Sequence, residues 1–302
     1  MKAIVISEYG GPEVLKFQDF PEPTPGPNQV LVGVAATSIN PFDIKRRSGE
    51  AKAFAPIRFP GIIGVDVAGT VISCGPGVKG FSAGDRVFGM ADGTYAERCL
   101  ADAENLAKIP AGLELIEAAA LPLVTTTGYQ LISKGAPVQR GQTVLVTGAY
   151  GNVGRAAVFT AKSRGAKVLA GVRKKQLEQA AALNADGVVA LDDRDTLAGL
   201  PMVDAVADTV DGATAEELIG KVKAGGLFGS VLGVPKNSTN YPSVKVVPVV
   251  ARSEVKALLE MATAVVEGRL AIPIAAKKPL KDAGEAHTLV AKGVSGKVLM
   301  VP

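Results

Sequence analysis

The sequence of 302 residues holds two cysteines, one histidine and no tryptophan. Two separated thiols, Cys74 and Cys99, cannot build a disulfide framework or a Cys-rich zinc lobe. Such sparing use suits a reducing compartment, and a cytoplasmic location is expected. No stretch approaches the roughly 18 consecutive apolar residues of a membrane span. The apolar run in "MKAIVISEYGG" is too short for a signal-peptide core. A strong charge imbalance is missing too. Lys and Arg number 33 against 29 Asp and Glu, and no basic stripe interleaves with aromatics, which argues against a nucleic-acid surface. Small anionic ligands fit this mild positive bias better. What is present is 47 % hydrophobic residues, 35 glycines and 19 prolines. That composition supports a substantial core, and the length suits about two domains.

The first third reads as β-structure. "KAIVI", "VLKFQDF", "QVLVGVAA", "VAGTVIS", "DRVFGM" and "TYAERCLA" are short, β-branched or alternating, and separated by clusters such as "PEPTPGPN". This density of turns predicts a compact barrel-like domain. From about Glu114 the pattern changes. "ELIEAAALPLVTTTGYQLIS" is helical in composition, with Pro122 acceptable at the start of a helix. Apolar strands then alternate with helical stretches: "TVLVTG", "NVGRAAVFTAKSRG", "KVLAGV", "KKQLEQAAALN", "GVVAL", "VDAVADT", "ATAEELIGKV" and "GLFGSVLG". That alternation predicts a doubly wound parallel sheet, so the fold class is α/β. The tail reads as two helices, "SEVKALLEMATAVVEG" and "KDAGEAHTLVAKG", and a closing strand, "GKVLMVP".

Between a strand and a helix stands Ala149-x-Gly151-x-x-Gly154. Gly151 lets the backbone approach a pyrophosphate, and Gly154 lets the helix pack tightly on its strand. The N–H groups of Asn152, Val153 and Gly154 then face the phosphates. Ala149 replaces the first glycine of the usual pattern. The strand–loop–helix context points to a dinucleotide site, the alternative being a structural turn that holds no ligand. The second strand should end near the adenosine ribose, where an NAD site normally offers an acid. This chain offers Arg173, Lys174 and Lys175, which suit a 2′-phosphate and therefore NADPH. The alternative is a solvated basic helix start.

Two families share such a loop. The spacing Thr147-Gly148-x-x-Gly151-x-x-Gly154 resembles extended short-chain dehydrogenases, and "YPSVK" would supply their Tyr241 and Lys245. That pair needs a helix, whereas Pro242 and "VKVVPVV" predict a loop and strand. The whole chain instead resembles a zinc-free medium-chain dehydrogenase/reductase of the quinone oxidoreductase, zeta-crystallin-like type. The similarity is carried in order by "MKAIVISEYGGPEVLKFQD", "PGPNQVLVGVAATSINPFDIKRRSG", "PGIIGVDVAGTVISCGPGVKGFSAGDRVFG", "EAAALPLVTTTGYQLI", the glycine loop, "VDAVADTVDG" and "SGKVLMVP".

This resemblance implies a GroES-like β-barrel catalytic domain over residues 1–118, with a C-terminal return at 268–302. A Rossmann domain over 119–267 would complete it, with the active site in the cleft. It implies that Asn40 and Thr127 lie beside the nicotinamide and substrate, and that Val210, Gly233 and Val234 line the cofactor. Zinc-dependent members place a Cys at Asn40 and a Gly-His-Glu at Gly64, Val65 and Asp66. Without thiolate or imidazole there, a tetrahedral catalytic zinc cannot be assembled. Hydride transfer to a quinone or α,β-unsaturated carbonyl remains, since the accepting carbon is already electrophilic. Alternatives on the same scaffold are an enoyl-thioester or alkene reductase, and a non-catalytic NADPH-binding sensor or crystallin-like protein. One departure limits the substrate: Lys45 and Ala51 stand where relatives carry tyrosines. Lys45, Arg46 and Arg47 read as surface residues or as a preference for an acidic substrate. Asp66 reads as a buried turn carboxylate, His287 as a packing or surface residue, and Lys297 as a solvated lysine or, alternatively, one that approaches the cofactor. The apolar stretch Ser243 to Ala251 reads as an edge strand through which the family forms a homodimer.

Overall fold

The computed structural model describes residues 1–302, and they divide into two compact units. The first contains Met1–Leu123, Ser253–Gly268 and Ile272–Pro302; the second contains Val124–Arg252 and Arg269–Ala271.

In the first unit β1 (Lys2–Ile6) pairs antiparallel with the exposed β2 (Lys16–Asp19). The ten-residue β3 (Gln29–Ser38) is rich in Val and Ala and is mostly buried. It ends at Ile39–Asn40, where Pro41 opens helix α1 (Pro41–Ser48). Proline suits this first helical position because its missing N–H would lack an intrahelical acceptor. Asn40 is the N-cap, its backbone N–H donating to Asp43 Oδ2 at 2.8 Å. Strand β4 (Gly61–Ile62) takes the other side of β1. β5 (Asp66–Cys74) pairs antiparallel with β3 and with β6 (Arg86–Met90). β7 (Arg98–Asp102) adds to β3, and β8 (Leu106–Lys108) to β6. The turn-rich third of the sequence is therefore β-structure, as its alternation predicts. It closes with the short helix α2 (Leu115–Ala118).

Helix α3 (Pro122–Gln130) starts at the expected proline and runs into a π-turn over Leu131–Gly135. The second unit is then built from β9 (Thr143–Thr147), α4 (Asn152–Ser163), β10 (Lys167–Val172), α5 (Leu177–Ala180) and β11 (Gly187–Ala190). It continues through α6 (Arg194–Gly199), β12 (Val203–Asp208), α7 (Gly212–Leu218), β13 (Val222–Ser230) and β14 (Lys245–Pro248). The strand order is β11-β10-β9-β12-β13-β14, and every pairing is parallel. Successive side chains of β9 serve opposite faces: Val144 and Val146 pack with Ala157, Val168 and Ala170, while Leu145 packs with Leu218, Ile219 and Phe228. Burial on both faces is why these strands read as continuous apolar runs. The strand order reverses beside β9, which puts the open crevice at its carboxyl end.

The chain returns to the first unit with α8 (Val255–Val266), β15 (Ile274–Pro279), α9 (Ala283–Ala291) and β16 (Lys297–Val301). β16 pairs parallel with β15 and antiparallel with the end of β3, setting Leu299 against Ser38 and Met300 against Thr37.

Three local expectations need adjustment. Helix α8 groups with the first unit rather than with residues 119–267. "KKQLEQAAALN" forms a single α-turn between 3₁₀ turns, because the Lys174 N–H is held by Asp192 Oδ1 at 2.6 Å and Asn184 turns left-handed at φ +54°. The stretch 243–251 forms a strand only over four residues, and that strand is the outermost of its sheet.

Candidate active site

In the second unit the glycine loop leaves β9 through Gly148 at φ +57° and enters α4 with Gly151 as N-cap. A side chain on Gly154 would put its Cβ 2.2 Å from the Gly148 carbonyl oxygen, so only glycine lets α4 approach this loop. Ala149 is fully buried and its N–H donates to the Gly171 carbonyl at 3.0 Å. Its methyl thus faces core rather than the crevice. No side chain caps α4 and no acid occupies its first turn. The N–H groups of Asn152, Val153 and Gly154 therefore present an uncompensated positive end.

Around that loop the ends of β9, β12 and β13 are locked by one carboxylate. Asp208 is fully buried and accepts from Thr147 Oγ1 at 2.8 Å, Ser230 Oγ at 2.9 Å and the Val210 N–H at 3.2 Å. Thr147 Oγ1 in turn accepts from the Thr209 N–H at 2.8 Å. Val210 and Val234, expected to line the cofactor, are 45 % and 52 % exposed at these strand ends. Arg173 and Lys174 follow β10 and are exposed. The Lys174 ammonium lies 3.1 Å from Asp193 Oδ2, so Arg173 is the less encumbered cation. Thr127 sits inside α3, half-buried. Tyr241 follows a 3₁₀ turn over Ser238–Asn240, not a helix, and does not form a helical pair with Lys245.

In the first unit Asn40 is the centre of a buried charged cluster. Its Nδ2 donates to Asp66 Oδ2 at 2.8 Å and, more distantly, to Asp43 Oδ2 at 3.4 Å. Its Oδ1 accepts from the Lys297 ammonium at 2.6 Å. Lys297 also reaches the Ile39 carbonyl at 3.2 Å and Asp66 Oδ2 at 3.4 Å. Asp66 further accepts from Ser38 Oγ and from the Leu123 N–H, the latter at 2.7 Å. Asp43 has one oxygen, Oδ1, buried without a partner. Burial, reinforced by the charge of Asp66, pushes its carboxyl up to about 7 against the opposing Asn40 N–H. Burial likewise lowers the Lys297 ammonium, with Asp66 and Asp43 pulling back.

Lys297 is only 2 % exposed, which corrects the expectation of a solvated lysine. Antiparallel pairing to β3 carries the start of β16 inward, beside Ile39. Arg46 and Arg47 are also buried, not surface residues. Arg46 pairs with Asp92 at 2.5 Å, and Arg47 donates to the Gly10 carbonyl at 3.2 Å. Arg47 also lies 3.1 Å from His287 Nδ1. Since Arg47 can only donate, Nδ1 accepts and the neutral ring carries its proton on Nε2, toward the Tyr95 hydroxyl at 3.1 Å. Burial and the neighbouring Arg47 push His287 down to about 3. It is a packing residue. Asp208 escaped the sequence reading, its only signal being its place at the foot of an apolar strand. Lys297 reads from the sequence as solvated, or else as approaching the cofactor, and its burial is what the sequence did not show.

The donors do not suit a metal. No three His, Cys, Asp or Glu side chains converge anywhere in the chain. Where Asn40 and Asp66 approach each other, the Lys297 ammonium supplies the positive charge.

Comparison with known proteins agrees with this architecture. Residues 26–111 match the family described as alcohol dehydrogenase GroES-like domain, and residues 183–299 match zinc-binding dehydrogenase. The chloroplast envelope quinone oxidoreductase homolog of Arabidopsis thaliana is 31 % identical, covering 100 % of this chain and 98 % of that protein. The Escherichia coli quinone oxidoreductase, solved in complex with NADPH, superposes with a TM-score of 0.87 at 29 % identity, covering 100 % of both chains. An NAD-dependent alcohol dehydrogenase structure gives 0.88 at 30 % identity, again over 100 % of both. With its GroES-like and parallel-sheet units in family order, the chain belongs to the quinone oxidoreductase family of the medium-chain dehydrogenase/reductase superfamily.

Proposed function

We propose that this oxidoreductase uses NADPH to reduce a quinone or an α,β-unsaturated carbonyl, without a metal. The observation that carries this reading is the uncapped start of α4 behind the glycine loop, with Arg173 exposed at the end of the neighbouring strand. The cofactor, when bound, supplies the hydride. The chain's own residues do the rest. The N–H groups of Asn152, Val153 and Gly154 hold the pyrophosphate, and Arg173 with Lys174 takes the 2′-phosphate. Val210, Gly233 and Val234 line the nucleotide crevice, where the strand ends are fixed by Asp208. Asn40 and Thr127 orient the nicotinamide and the acceptor. A developing enolate or quinol oxygen needs only positioned hydrogen-bond donors.

Two opposite charges about 4 Å apart at an effective dielectric of 20 attract by roughly 4 kcal/mol before solvent screening. Arg173→Asp is therefore expected to weaken NADPH binding at least about tenfold, while NADH binding holds or improves. Fluorescence titration of both cofactors checks this, beside turnover assays with a quinone, an enone and an enoyl thioester. Equal loss for both cofactors would remove the NADPH assignment. Turnover of the thioester alone would move the chain to the alkene reductases. Tight NADPH binding without any turnover would make it a sensor.

A further inference from the structure

Lys297 is a buried cation that the proposed chemistry does not use, and it touches the one side chain that chemistry needs from the first unit. It stands at the start of β16, and its ammonium is surrounded by three oxygens: the Ile39 carbonyl, Asn40 Oδ1 and Asp66 Oδ2. On the other side of the Asn40 amide, Nδ2 is held by the same Asp66 carboxylate at 2.8 Å. The amide is thus clamped between a cation at its oxygen and an anion at its nitrogen. A flipped amide would set Oδ1 against the carboxylate and the NH₂ group against the ammonium, two repulsive contacts in a site of low dielectric.

We propose that Lys297 is a positioning residue for Asn40: it fixes the amide in one orientation and polarises it, so that Oδ1 stays the acceptor and Nδ2 the donor. Of the two Nδ2 contacts, that to Asp43 Oδ2 is the longer, at 3.4 Å against 2.8 Å to Asp66 Oδ2. Lys297 acts through Asn40 and needs no contact with substrate. This inference rests on the assignment of Asn40 to the substrate site. A purely structural ion pair would behave differently, because a buried pair can often be replaced by neutral groups of similar shape with little loss of stability.

The test compares wild type with Lys297→Met and with the double variant Asp66→Asn/Lys297→Met, which removes both charges. Four quantities are read: melting temperature, NADPH dissociation constant, single-turnover hydride transfer to a p-benzoquinone, and hydrogen exchange of the Asn40 side-chain amide by NMR, its signals assigned by their loss in Asn40→Ala. Lys297→Met should slow hydride transfer about tenfold to a hundredfold while NADPH affinity changes less than about threefold. Exchange of the Asn40 amide should accelerate by at least about tenfold as its clamp is lost. In the double variant the melting temperature should recover, but neither the rate nor the amide protection should. Recovery of both along with stability would show Lys297 to be scaffold and overturn the proposal, as would an unchanged Asn40 exchange rate in Lys297→Met. If Lys297→Met does not fold, the double variant decides alone. If wild type reduces no quinone or enone, the proposed function fails, and the Asn40 exchange rates still decide the role of Lys297.

Discussion

Asp66 and Asp208 are both carboxylates with no solvent exposure, yet the two units keep them in different ways. Asp208 draws on hydroxyls and backbone N–H groups from the ends of adjacent parallel strands. Its partners are neutral, and the sheet itself delivers them. Asp66 shares Ser38, Asn40 and the Leu123 N–H with an ammonium that lies 231 residues away in sequence. Neutral donors give a rigid strand terminus. A cation adds a field across the neighbouring Asn40 amide. Burial alone therefore does not say what an aspartate is for; the charge of its partners does.

The largest effect that could break this contrast is on the neutral side. Asp208→Ala strands the Thr147 and Ser230 hydroxyls and the Val210 N–H in a buried site. At about 1–3 kcal/mol for each unsatisfied group, partly relieved by water, it is expected to lose about 3–5 kcal/mol in denaturant unfolding. A loss below about 1 kcal/mol would mean that the strand ends hold themselves.

Gly154→Ala comes next, and it sharpens the contrast by testing backbone rather than charge. Its Cβ meets the Gly148 oxygen at 2.2 Å and the Ala149 Cα at 2.6 Å. Helix α4 must shift, with an expected cost of about 1–3 kcal/mol. Cofactor affinity should fall by at least about tenfold, because the phosphate donors move with the helix. Calorimetric titration reads both the affinity and any change in stoichiometry.

The smallest effect lies in the charged cluster and depends on pH. Asp43 titrates near 7 in the folded chain against 3.8 for a free side chain. The folded state thus holds a proton that the unfolded state has released, and this contribution to stability falls as pH rises from about 4 through 7. Asp43→Asn should remove that loss, so that its stability relative to wild type rises from almost no difference at pH 4 to a clear gain at pH 8. His287 has the opposite slope: held near 3 against 6.5, it loses stability as pH falls below about 6.5. Melting curves of Asp43→Asn and wild type from pH 4 to 8 should diverge steadily upward. A constant difference would place Asp43 in the ionised form throughout.

Local pattern exposed much of this. A short apolar strand, a glycine loop and an amphipathic helix follow one another in sequence, so Gly151 and Gly154 could be placed on the α4 terminus directly. Asn40 stood out in the sequence as a site residue, but that it caps helix α1 is seen only in the structure. Lys297, Arg46 and Arg47 misled because lysine and arginine are usually solvated, and nothing within a few residues of each names its partner. Arg47 meets His287 240 positions away. Asp208 looked like any strand-terminal carboxylate until β9 and β13 brought Thr147 and Ser230 beside it.

The sequence by itself determined the two kinds of architecture, the glycine loop, the basic end of β10 and the lack of a thiolate or imidazole at positions 40 and 65. Each of these is written in contiguous residues or in residue type, where backbone geometry and donor chemistry act over short range. Only the tertiary structure decided which charges are buried and what they face. The antiparallel registry of β16 on β3 brings the Lys297 ammonium to Asn40 and Asp66. Once the three are removed from water together, each charge is held in place by the others, because a buried charge is tolerated only when it is paired.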